Sequence, residues 1–222
     1  MDQNVILVET VPLEFDLESL GCRLRIRPGQ TKFMDRLSRL AEEAARVARP
    51  KAVARLCGLT ILDEEKVQVG EVTFSSPLLR QKMDGLGRAF PYLASEGTEL
   101  ADWSLSLSSS LEQVFASALR EVAVQQAENL LKRTLLERYG IAQVSAMNPG
   151  SLKVWSLEEQ VPLFELLAPL PEKLGVTLLP SLMMRPEYSV SGVFFQTDSK
   201  FYNCQLCPKK ECPNRRTPSL VT

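Results

Sequence analysis

Apolar residues at three- and four-residue spacing mark the clearest helix in the chain. Phe33, Met34, Leu37, Leu40, Ala41, Ala44 and Val47 predict a helix over Thr31–Ala48, with Pro50 as its stop. Ahead of it, Val5-Ile6-Leu7-Val8 reads as a strand, and Asp16 to Leu20 as a short helix closed by Gly21. Behind it, Ala52–Leu62 and the segment around Val67 and Val69 read as two strands joined by the acidic turn Asp63-Glu64-Glu65. Ser76-Pro77 supplies an N-cap and a first helical position for a helix through Met83. Ala89–Ala94 is a strand-length apolar run, followed by the turn Ser95-Glu96-Gly97-Thr98.

From Glu99 to Arg138 the pattern is helical, broken near the serine run Ser104 to Ser110 and stopped by Gly140. Asn148-Pro149-Gly150 is a loop, and Ser156 with Glu159 predicts a capping box for a helix to about Leu167. Val176–Leu179 and Val190–Phe195 read as further strands. Strands and helices do not alternate strictly, so the predicted class is α+β. Residues 1–203 are expected to form the folded unit, and 204–222 a cysteine-rich tail.

Composition narrows the chemistry. The chain has 222 residues, of which 45% are hydrophobic, enough for one large domain or two small ones. Lys plus Arg is 26 and Asp plus Glu is 27, a net charge of −1. So balanced a chain has no global field to hold a polyanion, and no nucleic-acid partner is expected. There are 0 histidines, which excludes Ser-His and Cys-His catalysis and every His metal ligand. The start of the chain carries Asp2, Glu9 and Glu14 and no basic region before its apolar stretch, unlike a signal peptide. No run reaches the ~18 apolar residues of a membrane span. A cytoplasmic protein without a membrane partner is expected.

Three of the 5 cysteines, Cys204, Cys207 and Cys212, form a C-x2-C-x4-C cluster. Such spacing lets a tight turn aim thiolates at one ion, and prolines after the second and third cysteines stiffen the loop. Lys209, Lys210, Arg215 and Arg216 would favour the thiolates and offset their charge. An iron–sulfur cluster is expected there, with zinc as the alternative. The fourth ligand is left open among Cys22, Cys57, a carboxylate, water and an exogenous group. Cys22 and Cys57, in apolar contexts, are otherwise expected to be buried and inert. No carboxylate pair stands out as an acid–base couple.

The stretch Leu178 to Tyr202, LLPSLMMRPEYSVSGVFFQTDSKFY, resembles the end of the reactivation domain of cobalamin-dependent methionine synthase. Its Ser-Val-Ser-Gly strand followed by Asp-Ser-Lys and two aromatics is the specific part. Asn148-Pro149-Gly150 with Trp155 to Gln160 is similar to that family's Pro-Gly loop and following helix. Phe74 to Leu79 and Ala94 to Glu99 resemble motifs of stand-alone versions found in anaerobes. The resemblance implies a bent antiparallel sheet flanked by helices and a site for S-adenosylmethionine. It also implies a role in returning inactive Co(II) cobalamin, held on a corrinoid protein or methyltransferase partner, to its methylated form.

On the resemblance, the groove lies between the Asn148-Pro149-Gly150 loop and the Ser189 to Gly192 strand. Its candidate residues are Pro149, Gly150, Ser191 and Gly192, and Arg185 is a candidate replacement charge. The family's loop arginine falls on Ala146 and its loop tyrosine on Ser151. The donor-contacting tyrosine falls on Phe201, and the helix glutamate near Val124, with Glu128 one turn on. With those contacts altered, binding of the usual donor is expected to be weak. The expected function is an accessory subunit for reductive reactivation, its cysteine cluster passing electrons. The alternatives are a reactivase binding S-adenosylmethionine through an altered pocket, and a non-catalytic subunit stapled by structural zinc.

Overall fold

A computed structural model describes residues 3–199, 201–209, 212, 215 and 217–219. Its organising element is the strand β6 (Arg88–Ser95), buried along nearly its whole length. One edge of β6 pairs with β10 (Ser189–Gln196), which also pairs with β7 (Val144–Met147). The other edge is shared. Its end near Arg88 pairs with β3 (Cys57–Ile61), and Tyr92 to Ser95 pair with β2 (Lys51–Arg55). Pro91, which has no N–H to give, falls where that pairing passes from β3 to β2. β1 (Val5–Val8) extends the sheet beyond β2, and β4 (Lys66–Val69) and β5 (Val72–Ser75) extend it beyond β3. All pairings are antiparallel, so the sheet divides at β6 into two wings.

Helices cover both faces. Ala127, Leu131 and Leu135 of α5 (Ser110–Tyr139) join Ile6, Ala52, Phe90 and Phe194 in one apolar cluster. On the opposite face, Leu79 of α3 (Pro77–Lys82) and Leu163 and Leu167 of α6 (Gln160–Leu167) pack with Val67, Phe74, Trp155, Val193 and Phe195. A third cluster joins α1 (Leu17–Arg23), α2 (Thr31–Val47) and α4 (Thr98–Ser106) to the first half of α5. Residues 107–109 separate α4 from α5, at the serine run where the break is expected. A short α7 (Leu170–Lys173) and the two-stranded pair of β8 (Thr177–Leu178) and β9 (Met184–Arg185) complete the elements before the tail. Bent antiparallel sheet and flanking helices are the α+β class expected. Among the described residues, no helix is long and apolar enough to cross a membrane.

Several local expectations change. Ala52–Leu62 is two strands, not one, because the chain steps at Leu56 from one partner region of β6 to the next. Helix α1 runs through Gly21 to Arg23, capped by Asp16, whose carboxylate accepts from the Ser19 N–H. The capping box does not form. Ser156 bonds Glu158, while Glu159 accepts the Ser75 N–H at 3.1 Å, linking α6 to the end of β5. Cys57 is buried as expected, but Cys22 is exposed on α1.

Candidate functional site

Strand β10 sets one wall of a cleft of about 210 Å³. Alternation sends Val190 into this cleft and the Ser191 hydroxyl the other way, where Ser191 Oγ bonds the Oε1 of buried Gln160 at 2.7 Å. Glu128 and Lys132, one helical turn apart on α5, line a second wall. Ala146 and Asn148, at the end of β7, provide a third, and residues 201–204, where the chain enters the tail, a fourth.

A chain of hydrogen bonds holds the polar groups in place. Asn148 Nδ2 donates to the Ser191 carbonyl and to the Tyr92 hydroxyl, both at 2.8 Å. Tyr92 in turn donates to Glu128 Oε1 at 3.1 Å. The Tyr92 ring is fully buried and stacks on Phe194 with centroids 3.7 Å apart, so the hydroxyl is aimed by packing. Gly192, opposite Tyr92 across the β6–β10 ladder, makes this possible. A Cβ there would lie 2.4 Å from the Met147 carbonyl oxygen, 2.6 Å from Asn148 Nδ2 and 2.9 Å from the Tyr92 ring. The Glu128 carboxylate is therefore oriented before any ligand arrives.

The loop after β7 is built to present Asn148. Pro149 is buried, and Gly150 turns the chain with φ +76°, its N–H donating to the Trp155 carbonyl at 2.9 Å. A Cβ on Gly150 would meet Leu157 at 2.7 Å. Thus Pro149, Gly150 and Gly192 shape the cleft from behind while Asn148 and Val190 face it. Arg185 is exposed on β9, paired with Thr177, and does not line the cleft. The sequence positions that do meet there are Ala146, Phe201 and Glu128. Val124 lies in the apolar cluster under β1 and β2, whereas Glu128 lines the cleft. Sequence reasoning missed Asn148 as the central side chain and Lys132 as the cleft's cation. The signal for Lys132 was its position four residues after Glu128.

Phe201 is largely buried, with its N–H on Ser145 Oγ at 2.8 Å and the Lys82 ammonium 4.7 Å from its ring centre. Lys200, between Ser199 and Phe201, lies outside the described residues, as do Lys210, Pro213 and Arg216 of the tail. Cys204 lines the cleft, and Cys204, Cys207 and Cys212 are free thiols, each partly exposed. Among the described residues, no three Cys, Asp or Glu side chains are arranged to hold a metal ion. What gathers the loop is Arg215. Its guanidinium donates to the carbonyls of Cys204 (2.9 Å), Thr217 (3.3 Å), Cys207 (3.4 Å) and Lys209. Arg215 thus gathers backbone carbonyls of the loop and leaves the thiols of Cys204, Cys207 and Cys212 unbonded to one another.

A larger groove, about 550 Å³, runs between residues 11–16 and α5, lined by Glu14, Asp16, Gln126 and Arg133. It contains none of the positions above.

Comparison with solved structures gives a match over 89% of this chain and 80% of the other, with a TM-score of 0.61 at 17% identity. That structure is the MetH reactivation domain bound to AdoHcy. The fold is the reactivation-domain fold. No protein-family profile matches the sequence, and no curated protein matches it in sequence.

Proposed function

We propose that this chain is an accessory protein of the reactivation type, serving a cobalamin-dependent methyltransferase. It binds S-adenosylmethionine or its demethylated product in the cleft between β10, α5 and the tail. The observation that carries the reading is the oriented Glu128 carboxylate, held by Tyr92 and Asn148 in a cleft that also contains Lys132 and the aromatics Phe201 and Tyr202. A carboxylate and an ammonium side by side on one wall suit the α-ammonium and α-carboxylate of an amino-acid head group, and an aromatic wall suits a nucleobase. The solved domain of the same fold carries AdoHcy, which supports the ligand class. The family's loop arginine is replaced by Ala146, so the carboxylate end falls to Lys132. In this role the donor would give its methyl group, as CH3+, to cobalamin carried by the partner and reduced from Co(II) to Co(I) by an external one-electron reductant, leaving S-adenosylhomocysteine. This chain's residues bind and orient the donor.

An iron–sulfur cluster on Cys204, Cys207 and Cys212, passing electrons to the partner, has only the cysteine spacing in its favour and is not part of this proposal. Isothermal titration of the whole chain with S-adenosylhomocysteine tests the reading. Saturable one-to-one binding is expected, weakened about ten- to a hundredfold by Glu128→Gln, because a hydrogen bond to a charged group is worth ~1.5–3 kcal/mol. Absence of binding to the unaltered protein would sink it.

A further inference from the structure

The hydrogen bonds that lead from Asn148 to Glu128 all run in one direction. The Ser191 carbonyl can only accept, so Asn148 turns Nδ2 toward it and offers the same nitrogen to the Tyr92 hydroxyl, both at 2.8 Å. The Tyr92 oxygen is an acceptor on that side, and its one proton goes to Glu128 Oε1 at 3.1 Å. Tyr92 is fully buried and stacked on Phe194, so the hydroxyl oxygen cannot move to another partner. Glu128 Oε2 has no hydrogen bond among the described residues and is not buried. Since Glu128 lines the cleft, this second oxygen is the open end of the chain.

That direction fixes what the open end can read. A carboxylate accepts at both oxygens, so Oε1 serves Tyr92 while Oε2 is offered to a ligand. A glutamine at position 128 has a single oxygen, and Tyr92 claims it, which turns the NH2 group toward the ligand. Flipping that amide would leave the buried Tyr92 proton without an acceptor, and an unmet buried donor is costly. Without the Tyr92 hydroxyl, the same amide is free to turn either way. The hydroxyl thus makes position 128 an acceptor facing the cleft only when that position is a carboxylate.

We propose that Tyr92 is a positioning residue that determines specificity. Acting through Glu128, it sets the cleft to take a ligand whose head group bears a primary ammonium, and to disfavour nucleosides that offer no donor there. The proposal rests on the reading of the cleft given above and deepens it. Asn148 fixes the direction of the chain, and Gly192 leaves room for it beside the Tyr92 ring. Tyr92 itself lies on β6, outside both the Pro-Gly loop and the Ser-Val-Ser-Gly strand.

The experiment is a double-mutant cycle of Tyr92→Phe and Glu128→Gln on the full chain, read by isothermal titration with S-adenosylhomocysteine. Tyr92→Phe removes one oxygen and keeps the stacked ring, and cooperative melting of each variant is checked first. Should it not fold, the cycle is run with Asn148→Ala, which frees the Tyr92 hydroxyl to turn its proton away. With Tyr92 in place, Glu128→Gln should weaken binding about ten- to a hundredfold. In the Tyr92→Phe background the same substitution should cost at least about fivefold less, because the amide can then turn its oxygen to the ammonium. The unaltered protein should also prefer S-adenosylhomocysteine about tenfold or more over 5′-methylthioadenosine, which has the nucleoside and thioether but no amino-acid head. If the unaltered protein does not bind S-adenosylhomocysteine, the reading of the cleft has failed and this proposal falls with it. If it binds but Glu128→Gln costs as much or more without the Tyr92 hydroxyl, Tyr92 does not steer position 128 and this proposal alone is overturned. Equal affinity for the two ligands would show that the head group is not read, and would overturn it too.

Discussion

Gly192 shows how one missing side chain organises the site. The β7 backbone and the Asn148 amide both approach it more closely than any Cβ allows, and the Tyr92 ring lies across the gap. Gly192→Ala should push on a backbone carbonyl, which cannot swing aside as a side-chain tip can. Overpacking of this kind typically costs ~1–3 kcal/mol. For a chain of this length that is a fall in melting temperature of roughly 2–12 °C. Thermal unfolding of the variant measures it, and an unchanged transition would mean that the β7–β10 approach relaxes freely. At this scale the sequence was half legible. The glycine and the Pro-Gly loop were visible as motifs, but their job is to shape the cleft from behind. Asn148 was not singled out because nothing local distinguishes an asparagine before Pro-Gly as a network centre from one in a turn.

At the scale of elements, the corner between β6 and α4 is held by a buried ion pair. Arg120 of α5 meets Glu96 through two hydrogen bonds of 2.6 Å, and Glu96 is fully buried. The Tyr188 N–H also donates to Glu96, its ring lies under the guanidinium at 4.4 Å, and Glu187 stands 3.9 Å from Arg120. Burial pushes the Glu96 carboxyl above its ordinary range, opposed by its hydrogen bonds to Arg120. A carboxyl with a raised folded pKa contributes stability that is fully present below its unfolded pKa and is lost as pH rises through the folded value. Arg120→Met removes the opposing partner, so the loss should deepen above the ordinary carboxylate range. Breaking such a pair from one side costs about 3–5 kcal/mol. Chemical denaturation of Arg120→Met across pH should show stability falling from mildly acid to neutral pH. The double variant with Glu96→Gln should flatten that dependence, and a persistent slope would point to another group.

The same scale shows which elements sequence reasoning can reach. Helix α2 was legible because one face alone is buried, which leaves a clean three- and four-residue period. Strand β7 was not, since four residues with three buried make too short a run to separate from the loop that follows. The apparent capping box failed because Glu159 is recruited by the end of β5, a contact from 84 residues away in sequence.

For the whole molecule, the question is how far the tail belongs to the fold. By sequence pattern alone, every helix and strand falls before residue 203 and the remainder reads as an appended loop. Leu206 and Cys207 nevertheless pack against the cluster that contains Trp155, Leu163 and Phe195, so the tail contributes some apolar burial as well as a wall of the cleft. Three apolar clusters remain without it, and they contain every helix and strand of the sheet. Truncation after Tyr202 should therefore leave a cooperative fold, weakened by the burial of about one leucine, ~2 kcal/mol. The corresponding drop in melting temperature is roughly 4–8 °C. Affinity for S-adenosylhomocysteine should fall as well, because Asn203 and Cys204 leave the cleft wall. Calorimetry on the truncated chain separates the possibilities. A chain that no longer unfolds cooperatively would show that the tail holds the core together. A chain that melts as the full protein does would mean that Leu206 and Cys207 bury nothing of consequence.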